Sequence, residues 1–195
     1  MCNSYRLRGR EIEIAQAMGI PFEADINLPP TDLFPKRPAL VVRQAGGIRQ
    51  GALLEWGFPP PAGVRGPVTN VRNLASPFWR SALANPERRC LIPATEFCEW
   101  EGEKGAKVAR WFRVPSTPVF ALAGIWRPLA ADLLGQGGGC FAMLTCEPNA
   151  LVGAVHPNAM PVILHPEEYE NWLTAPLADV LPLAAPFPTQ LMAMT

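Results

Sequence analysis

The sequence predicts a single mixed α+β domain, in which a mainly antiparallel, curled or barrel-like sheet is flanked by a few short helices. Three observations predict this fold class. The chain has 195 residues, of which 49% are hydrophobic, and this length suits one domain. Its 23 prolines and 16 glycines divide it into many short elements joined by turns. Its strand-like runs are short and rich in branched or aromatic residues. We therefore expect residues 1–195 to form one domain.

The predicted strands are runs in which branched and aromatic side chains predominate between turn signals. We expect them to form the mainly antiparallel sheet or barrel. The runs are Ala39 to Arg43, Arg89 to Ile92, Arg110 to Val114, Val119 to Leu122, Cys140 to Thr145 and Pro161 to Leu164.

Three helices are predicted to cover this sheet. The first spans Glu11 to Met18. The second spans Pro77 to Ala84, because Ser76 suits the N-cap and a proline suits the first helical position. The third spans Pro166 to Leu173 and has acids in its first turn.

Two segments lack such patterns. Leu129 to Gly139 ends in Gly-Gln-Gly-Gly-Gly and is predicted to be a mobile surface loop. The tail after Pro176 is apolar and proline-rich, with no clear periodicity. Apolar stretches such as Pro118 to Trp126 are well short of the roughly 20 residues that a membrane helix needs. The N-terminal arginines lead into no signal-peptide core, so we expect a soluble, cytoplasmic protein that binds no membrane.

The cysteines indicate reduced thiols. The chain has 5 cysteines, an odd number without a CxxC pair, which argues against a disulfide framework. A zinc site from Cys90, Cys98 and His156 is an alternative, but that spacing matches no common zinc site. We expect no metal and no cofactor.

Charge is distributed unevenly along the chain. Residues 1–127 carry all 17 Lys and Arg against 11 acids, whereas residues 128–195 carry 6 acids and no Lys or Arg. Between Arg65 and Arg89 there are 5 arginines and 1 glutamate, which favours a local patch that holds a polyanion. A solvated surface with scattered arginines is the alternative.

The start of the chain, Met1-Cys2-Asn3, carries a specific chemical possibility. A small residue at position 2 permits removal of the initiator methionine, which makes Cys2 the N-terminus. Its amine has an ordinary pKa of about 8 and its thiol one of about 8.5, so both nucleophiles are partly available near neutral pH. This 1,2-aminothiol condenses with an aldehyde to an imine and then closes a thiazolidine ring. No internal cysteine can do this, although most lone cysteines are packing residues.

Several ordered blocks make the chain resemble the SOS response-associated peptidase family. The matches span most of the chain. The blocks that couple a polar residue to a particular apolar frame, around Glu99 and after His156, are specific. In order, the matching blocks are Met1-Cys2, Glu55-Trp56-Gly57, Thr69-Asn70-Val71-Arg72, Cys90-Leu91-Ile92-Pro93, Glu96-Phe97-Cys98-Glu99-Trp100, and Leu144-Thr145 through His156 to Pro161-Val162-Ile163-Leu164.

The resemblance implies this family's fold and an enzyme that processes abasic sites in single-stranded DNA. Cys2, after loss of Met1, would attack the ring-opened sugar aldehyde and hold it as a covalent thiazolidine crosslink, which shields the lesion from strand cleavage. The family name also implies a peptidase activity, interpreted as removal of Met1 with Cys2 and Glu99 taking part. We expect single-stranded DNA containing abasic sites as the partner, no obligatory protein partner, and a monomer.

The resemblance assigns catalytic roles to three further residues. Glu99 would shuttle protons, because a carboxyl flanked by Cys98 and Trp100 is partly desolvated and its pKa rises toward the useful range. His156 would exchange protons during ring closure and reversal. Asn70 would position the lesion with its amide. The alternatives are an exposed strand residue, a hydrogen-bonded loop histidine and a turn residue, respectively.

DNA-binding roles follow for five more positions. Arg72 would pair with a phosphate beside the lesion. Trp56 and Trp100 would form apolar walls for a bend or a stacked base, unless they pack in the core. Thr145 and Asn149 would line the same cleft, unless they only fix a turn.

The chain departs from the family pattern at three places. Asn3 and Ser4 stand where the family has Gly-Arg, so one phosphate-binding arginine is absent and Arg6 or Arg8 is the candidate substitute. An expected acid is missing near Leu74. An expected arginine is missing near Asn158 or Ala159. These losses weaken DNA affinity or the rigidity of the cleft more than they weaken the aminothiol chemistry.

Two other functions stay open at this point. One is an N-terminal-nucleophile amidohydrolase that uses Cys2, although the chain lacks the expected Gly-rich segment and is short for that four-layer architecture. The other is a non-catalytic relic that binds single strands reversibly and in a salt-sensitive way.

Overall fold

The computed structural model describes residues 2–21, 31–103, 105–129 and 138–195. Two sheets and short helices form a mixed α+β fold with a barrel-like core, which confirms the predicted fold class. The strands are β1 (Tyr5–Arg6), β2 (Asp32–Leu33), β3 (Pro38–Ala45), β4 (Ile48–Trp56), β5 (Asn70–Val71), β6 (Arg89–Ala94), β7 (Glu96–Glu101), β8 (Val108–Arg113), β9 (Phe120–Pro128), β10 (Gly139–Cys146), β11 (Met160–Pro161), β12 (Ile163–Leu164) and β13 (Ala193–Met194).

The helices are short and cover the sheets. The α-helices are α1 (Glu11–Met18), α2 (Pro77–Ala84), α3 (Ala150–Gly153), α4 (Tyr169–Thr174) and α5 (Leu177–Val180). Single 3-10 turns occur at Pro86–Arg88, Pro166–Glu168, Leu181–Leu183 and Thr189–Leu191. No helix in the described part of the chain is long and apolar enough to cross a membrane.

The larger sheet closes on itself. Its strands follow the order β10, β4, β3, β6 and β9, and β9 pairs again with β10. Most pairings are antiparallel, but β4 and β5 both run parallel to β10. All residues of β6 and β10 are buried, because the barrel interior and the covering elements remove both faces from water. Near-continuous apolar runs such as those of β6, β9 and β10 are the expected result.

The smaller sheet holds the N-terminus. Its order is β13, β8, β7, β1 and β2, with antiparallel pairing. Arg6 fixes β1 from both sides, since its guanidinium pairs with Asp32 at 2.8 Å and Glu96 at 3.2 Å. The same group lies 3.5 Å from the centre of the Trp111 ring. Tyr5 points the other way into the core and meets Trp56 edge-on at 5.2 Å. These contacts anchor β1, which directly follows residues 2–4.

Local signals predicted two helices with the observed bounds. The glycine that follows α1, Gly19, has a φ of 66°, and Ser76 caps α2 by accepting a hydrogen bond from the Phe78 amide. The predicted third helix instead begins as the 3-10 turn Pro166–Glu168 and continues as α4.

The strand predictions need correction at several points. The run Pro161 to Leu164 is divided between β11 and β12. At the division, the Val162 amide donates to the Leu144 carbonyl, and the Val162 carbonyl accepts a hydrogen bond from the Ala123 amide. The loop prediction for Leu129 to Gly139 is wrong at its end, where Gly139 begins β10; residues 130–137 lie outside the described part. The tail predicted to be unpatterned contains α5 and the edge strand β13. Strands β4 and β7 were not among the predicted strand runs.

Close packing between β6 and β9 leaves no room at Gly124. A methyl group there would lie 2.8 Å from Ile92 Cδ1 and 2.9 Å from Cys90 Sγ. We expect Gly124→Ala to lower the free energy of unfolding by roughly 1–3 kcal/mol, measured by urea denaturation. Gly153→Ala is the matched control, since its methyl group meets nothing closer than 3.6 Å. Equal stabilities of the two variants would contradict the packing argument.

Candidate active site

Cys2 lies buried at the junction of the two sheets. It is 1% exposed, and its thiol lies 3.4 Å from the Ser4 carbonyl oxygen. That same carbonyl accepts a hydrogen bond from the Cys98 amide on β7. From the barrel side, the Asn70 Nδ2 donates to the Cys2 carbonyl at 3.0 Å. The larger sheet therefore holds the Cys2 backbone, and the Cys2 thiol contacts a carbonyl that the smaller sheet holds.

Asn70 is presented by β5, whose pairing with β10 places it beside Met143. Its Nδ2 also donates to Thr69 Oγ1 at 2.8 Å. Its Oδ1 is buried and has no hydrogen-bond partner in the described residues. A buried acceptor without a partner is costly, so this oxygen is available to a donor group on a bound molecule.

Glu99 is a buried carboxyl on β7. It is 1% exposed, its Oε1 has no hydrogen-bond partner in the part of the chain that the structure describes, and its Oε2 lies 3.8 Å from His156 Nδ1. His156 follows α3 and its Nδ1 is also 3.0 Å from the Ala159 carbonyl oxygen. Since a carboxylate normally gathers several donors, Glu99 is held in an environment that favours its protonated form.

Burial shifts the titration of both central groups. Desolvation raises the pKa of Glu99 from 4.5 to about 7, against smaller opposing effects that include the charge of Lys107. Desolvation also raises the pKa of the Cys2 thiol far above its ordinary value, and the neighbouring Glu99 raises it further. The thiol is therefore neutral at rest, beside a carboxyl that can both accept and donate a proton near neutral pH.

The four residues predicted to be catalytic thus come together from distant parts of the chain. The small sheet supplies Cys2 and Glu99, and the barrel and its α3 connection supply Asn70 and His156. The cluster combines a buried thiol, a carboxyl whose pKa is raised to about 7 and an amide that donates to the Cys2 carbonyl. Within the described residues no group of three His, Cys, Asp or Glu side chains is arranged to hold a metal ion, and all five cysteines are free.

The predicted DNA-binding residues divide into two groups. Arg72 and Trp100 reach the surface: the Arg72 side chain is 37% exposed and the Trp100 residue 38%. The Trp100 Nε1 donates to Asn3 Oδ1 at 3.1 Å, which keeps the ring next to the N-terminus. Arg72 is paired with Glu147 through its Nη2. Sequence reasoning missed Glu147; its only signal was an acid two residues after Thr145 in a matching block.

The other three of these residues have structural roles here. Trp56 is fully buried, donates to the Thr69 carbonyl and stacks on Phe141, so it offers no face to DNA in this structure. Thr145 is buried and donates to the Val71 carbonyl. Asn149 caps α3 by accepting from the Val152 amide and donates to the Phe187 carbonyl. For each of the three, the geometry matches the packing or turn alternative.

The structure also shows where the arginines of the predicted basic patch and the two candidate substitute arginines lie. Arg89 is fully buried, bonds to the Ala175 carbonyl, and its pKa falls to about 10 through desolvation. It therefore contributes nothing to a surface patch. Arg6 is committed to Asp32, Glu96 and the Trp111 ring, so it does not replace the missing family arginine. Arg8 is exposed and lines a separate pocket on the small sheet with Arg113.

Comparison with known proteins gives consistent results for sequence and fold. A family model described as SOS response associated peptidase (SRAP) matches residues 1–195. The abasic site processing protein YoqW of Bacillus subtilis is 27% identical over 161 residues, which cover 77% of this chain and 69% of that protein. A protein of the same name from Bacillus phage SPbeta matches to the same extent.

Solved structures share the fold. A protein from Bacteroides thetaiotaomicron superposes with a TM-score of 0.82 at 22% identity, covering 99% of this chain and 90% of that one. A protein from Bordetella bronchiseptica gives a TM-score of 0.81 at 23% identity, covering 100% and 98% respectively. At these identities the likeness concerns the fold alone.

The raised pKa of Glu99 makes a prediction about stability. Because the folded-state pKa of about 7 lies above the ordinary 4.5, folding favours the protonated carboxyl, and its stabilising contribution is lost as pH rises through about 7. We expect Glu99→Gln to remove this loss. The difference in free energy of unfolding between variant and wild type should therefore be more favourable to the variant at pH 8 than at pH 4, by on the order of a few kcal/mol.

Urea denaturation across this pH range measures the effect. Glu101→Gln is the matched control, since Glu101 lies on the same strand, is partly exposed and pairs with Arg110 at 2.6 Å. A pH profile of Glu99→Gln that parallels wild type would show that the carboxyl is not desolvated as described.

Proposed function

Because the chain belongs to the SOS response associated peptidase (SRAP) family, we propose that it processes abasic sites in DNA by forming a covalent crosslink through Cys2. The observation that carries the proposal is the cluster of Asn70, Glu99 and His156 around the residue that becomes N-terminal when Met1 is removed. The name of its Bacillus relative, abasic site processing protein, supports the same substrate class.

The chemistry begins with the amine that removal of Met1 creates. Water cleaves the Met1–Cys2 peptide bond, methionine leaves with the new carboxylate, and Cys2 keeps the amine. We assign this self-processing step to Cys2 and Glu99, as the peptidase activity of the family name. The freed amine attacks the aldehyde carbon of the ring-opened abasic sugar, and the resulting carbinolamine loses its hydroxyl as water to give an imine.

Ring closure follows on the same carbon. The Cys2 sulfur attacks the imine carbon, the C=N electron pair moves to nitrogen, and a thiazolidine forms with no other reactant. The thiol proton must leave and the nitrogen must gain one. Glu99, with a pKa raised to about 7 by burial, is suited to take the thiol proton of Cys2. In the earlier step it is suited to protonate the carbinolamine hydroxyl that leaves as water. His156, 3.8 Å from Glu99, relays protons to the sugar hydroxyl. The Asn70 amide keeps the nucleophile's backbone in place.

Single-stranded DNA is the substrate form that we propose, with the protein acting as a monomer. The exposed Trp100 ring, fixed by Asn3, would cover the base next to the lesion. Arg72 would hold the adjacent phosphate once its pairing with Glu147 is given up, because a planar guanidinium fits phosphate oxygens in a bidentate manner.

The decisive test is formation of a denaturant-resistant adduct. Purified protein is mixed with a uracil-containing single strand that has been treated with uracil glycosylase, and the product is examined on a denaturing gel and by intact mass spectrometry. We expect an adduct that lacks the mass of Met1 and disappears in Cys2→Ala. Cys98→Ala, which removes a neighbouring internal thiol, should leave the adduct, whereas Glu99→Gln should slow its formation roughly 10²- to 10⁴-fold.

The alternatives give different results in the same assay. Protein confirmed to start at Cys2 that forms no adduct would overturn the crosslinking function. Salt-sensitive binding alone would then indicate the non-catalytic binder. Release of ammonia from glutamine would indicate the amidohydrolase.

The pairing of Arg72 with Glu147 makes a separate prediction. Glu147→Gln removes the carboxylate that competes with a phosphate for Arg72, so we expect tighter binding of single-stranded DNA. Because Arg72 gives up this pair on binding in the proposed complex, wild type and variant make the same number of phosphate contacts, and we expect the slope of log K against log salt to be nearly the same for both.

Fluorescence anisotropy with an undamaged strand measures both quantities. Glu103→Gln is the control for a lost surface charge, since Glu103 is exposed and makes no ion pair in the described residues. An equal gain in both variants would show that only net charge matters and that Arg72 has no particular role.

A further inference from the structure

A second basic site lies outside the Cys2 cluster, at the end of the barrel where β9 finishes. An open pocket of about 410 Å³ is bordered there by Phe58, Phe78, Asn85, Arg88 and Arg127, among others. This volume falls in the range of about 300–1,000 Å³ that is typical of small-molecule sites. The pocket combines aromatic side chains, an amide and two guanidinium groups, and none of these residues has a role in the proposed crosslinking chemistry.

The Arg127 side chain is held in place rather than free. Its guanidinium carbon lies 4.4 Å from the centre of the Phe58 ring and 5.3 Å from that of Phe78. Its Nη2 donates to the Pro59 carbonyl at 3.1 Å. A guanidinium has five N–H donors, and stacking on aromatic rings fixes their plane. The remaining donors are therefore presented with little entropy left to lose on binding an anion.

Arg88, which borders the same pocket, also rests on an aromatic ring. Its guanidinium carbon lies 4.8 Å from the centre of the Trp126 ring, and Arg43 lies 4.4 Å from the same ring. The Trp126 Nε1 donates to the Glu87 carbonyl at 3.0 Å, which fixes the ring itself. Stacked arginines thus surround this end of the barrel.

Within the described ranges, no carboxylate is paired with Arg88 or Arg127. Glu87 precedes Arg88 in the chain, and the charge of Glu55 acts on Cys140, the residue that also bonds to Arg127. Neither acid forms an ion pair with Arg88 or Arg127 within the described residues, in contrast to Arg72, which Glu147 holds. Their positive charge is available to an external anion.

The pocket is connected to the Cys2 cluster through one short segment. Phe58 pairs with Val68 in a β-bridge, and Val68 lies two residues before Asn70. With a rise of about 3.3 Å per extended residue, the pocket wall lies roughly 7 Å along the backbone from the strand that carries Asn70. The pocket wall and Asn70 are therefore joined by one short extended segment of the chain.

We propose that this pocket binds a nucleotide of the DNA strand beyond the lesion, with Arg88 and Arg127 holding phosphates and the Phe78 side of the pocket contacting a base. The inference rests on the proposed function for its substrate class. Phosphate contacts by arginine position a strand without reading its sequence, and aromatic contacts accept any base. The site therefore adds affinity for longer strands without adding sequence preference.

The test compares strand lengths by fluorescence anisotropy. Undamaged single strands of about 3 and about 15 nucleotides are titrated with wild type and with the double variant Arg88→Gln/Arg127→Gln, between about 50 and about 200 mM salt. We expect the longer strand to bind the double variant about tenfold more weakly than wild type at the lower salt, with a salt slope that is shallower by about 1.4. Binding of the short strand should weaken by a smaller factor, because so short a strand makes few phosphate contacts with either protein.

Matched variants keep the result interpretable. Arg10→Gln/Arg113→Gln removes the same charge from exposed positions elsewhere, at the start of α1 and on β8, and should leave the length dependence intact. Arg88→Gln alone serves if the double variant is found unfolded by urea denaturation. Wild-type affinity and salt slope for the longer strand in a folded Arg88→Gln/Arg127→Gln or Arg88→Gln protein would overturn the proposal.

Adduct formation separates this inference from the function on which it rests. With a saturating concentration of a strand of about 15 nucleotides that carries one abasic site, wild type and the double variant should form the adduct equally, since Arg88 and Arg127 take no part in the proposed crosslinking chemistry. An adduct in both proteins without any length-dependent difference in binding rejects the pocket alone. Length-dependent binding without an adduct rejects the crosslinking function and leaves the pocket.

Discussion

The desolvated carboxyl of Glu99 is the constraint on which the rest of the site depends. A carboxylate with an unpaired oxygen is expensive to bury, and Glu99 is 1% exposed with no partner for Oε1 in the described residues. Folding places it there because β7 is fixed on both sides, by β1 and β8. The ladder hydrogen bonds and the stacked pair Phe97 and Phe112 offset the cost. The result is a proton carrier whose pKa lies near neutrality.

The same arrangement dictates where the N-terminus must lie. Arg6 ties β1 to β2, β7 and β8 at once, and this leaves only a short segment between β1 and Cys2. Asn70 then holds the Cys2 carbonyl from the barrel. A flexible terminal residue would pay a large entropic cost to adopt one reactive geometry. Here part of that cost is met during folding, so the Cys2 thiol and the Glu99 carboxyl are held together in the folded protein.

Local signals and tertiary contacts explain what the sequence could and could not predict. The caps of α1 and α2 are local, and both helices have the predicted bounds. Strand β4 was missed because Arg49, Gln50 and Glu55 interrupt its apolar pattern, and β7 because its glutamates disfavour a strand. Cys2, Asn70, Glu99 and His156 were predicted as site residues from the family resemblance, and the fold brings them close to one another. That Trp56 is core and that Arg72 has a carboxylate partner depend on contacts between distant segments, which one sequence does not contain.

The contrast between paired and unpaired arginines bears on how such a protein selects its substrate. In the proposed reaction the lesion is distinguished chemically, because only an abasic sugar would offer an aldehyde to the Cys2 amine. Strand binding therefore needs no base readout, and phosphate contacts are sufficient. Arg72 beside the cluster is held by Glu147, whereas Arg88 and Arg127 rest on aromatic rings without a carboxylate in the described residues. Arginine would then attract DNA phosphates weakly at the reactive centre and more strongly away from it. Undamaged DNA would therefore not be retained at Cys2. The covalent step, rather than affinity, would then supply the specificity.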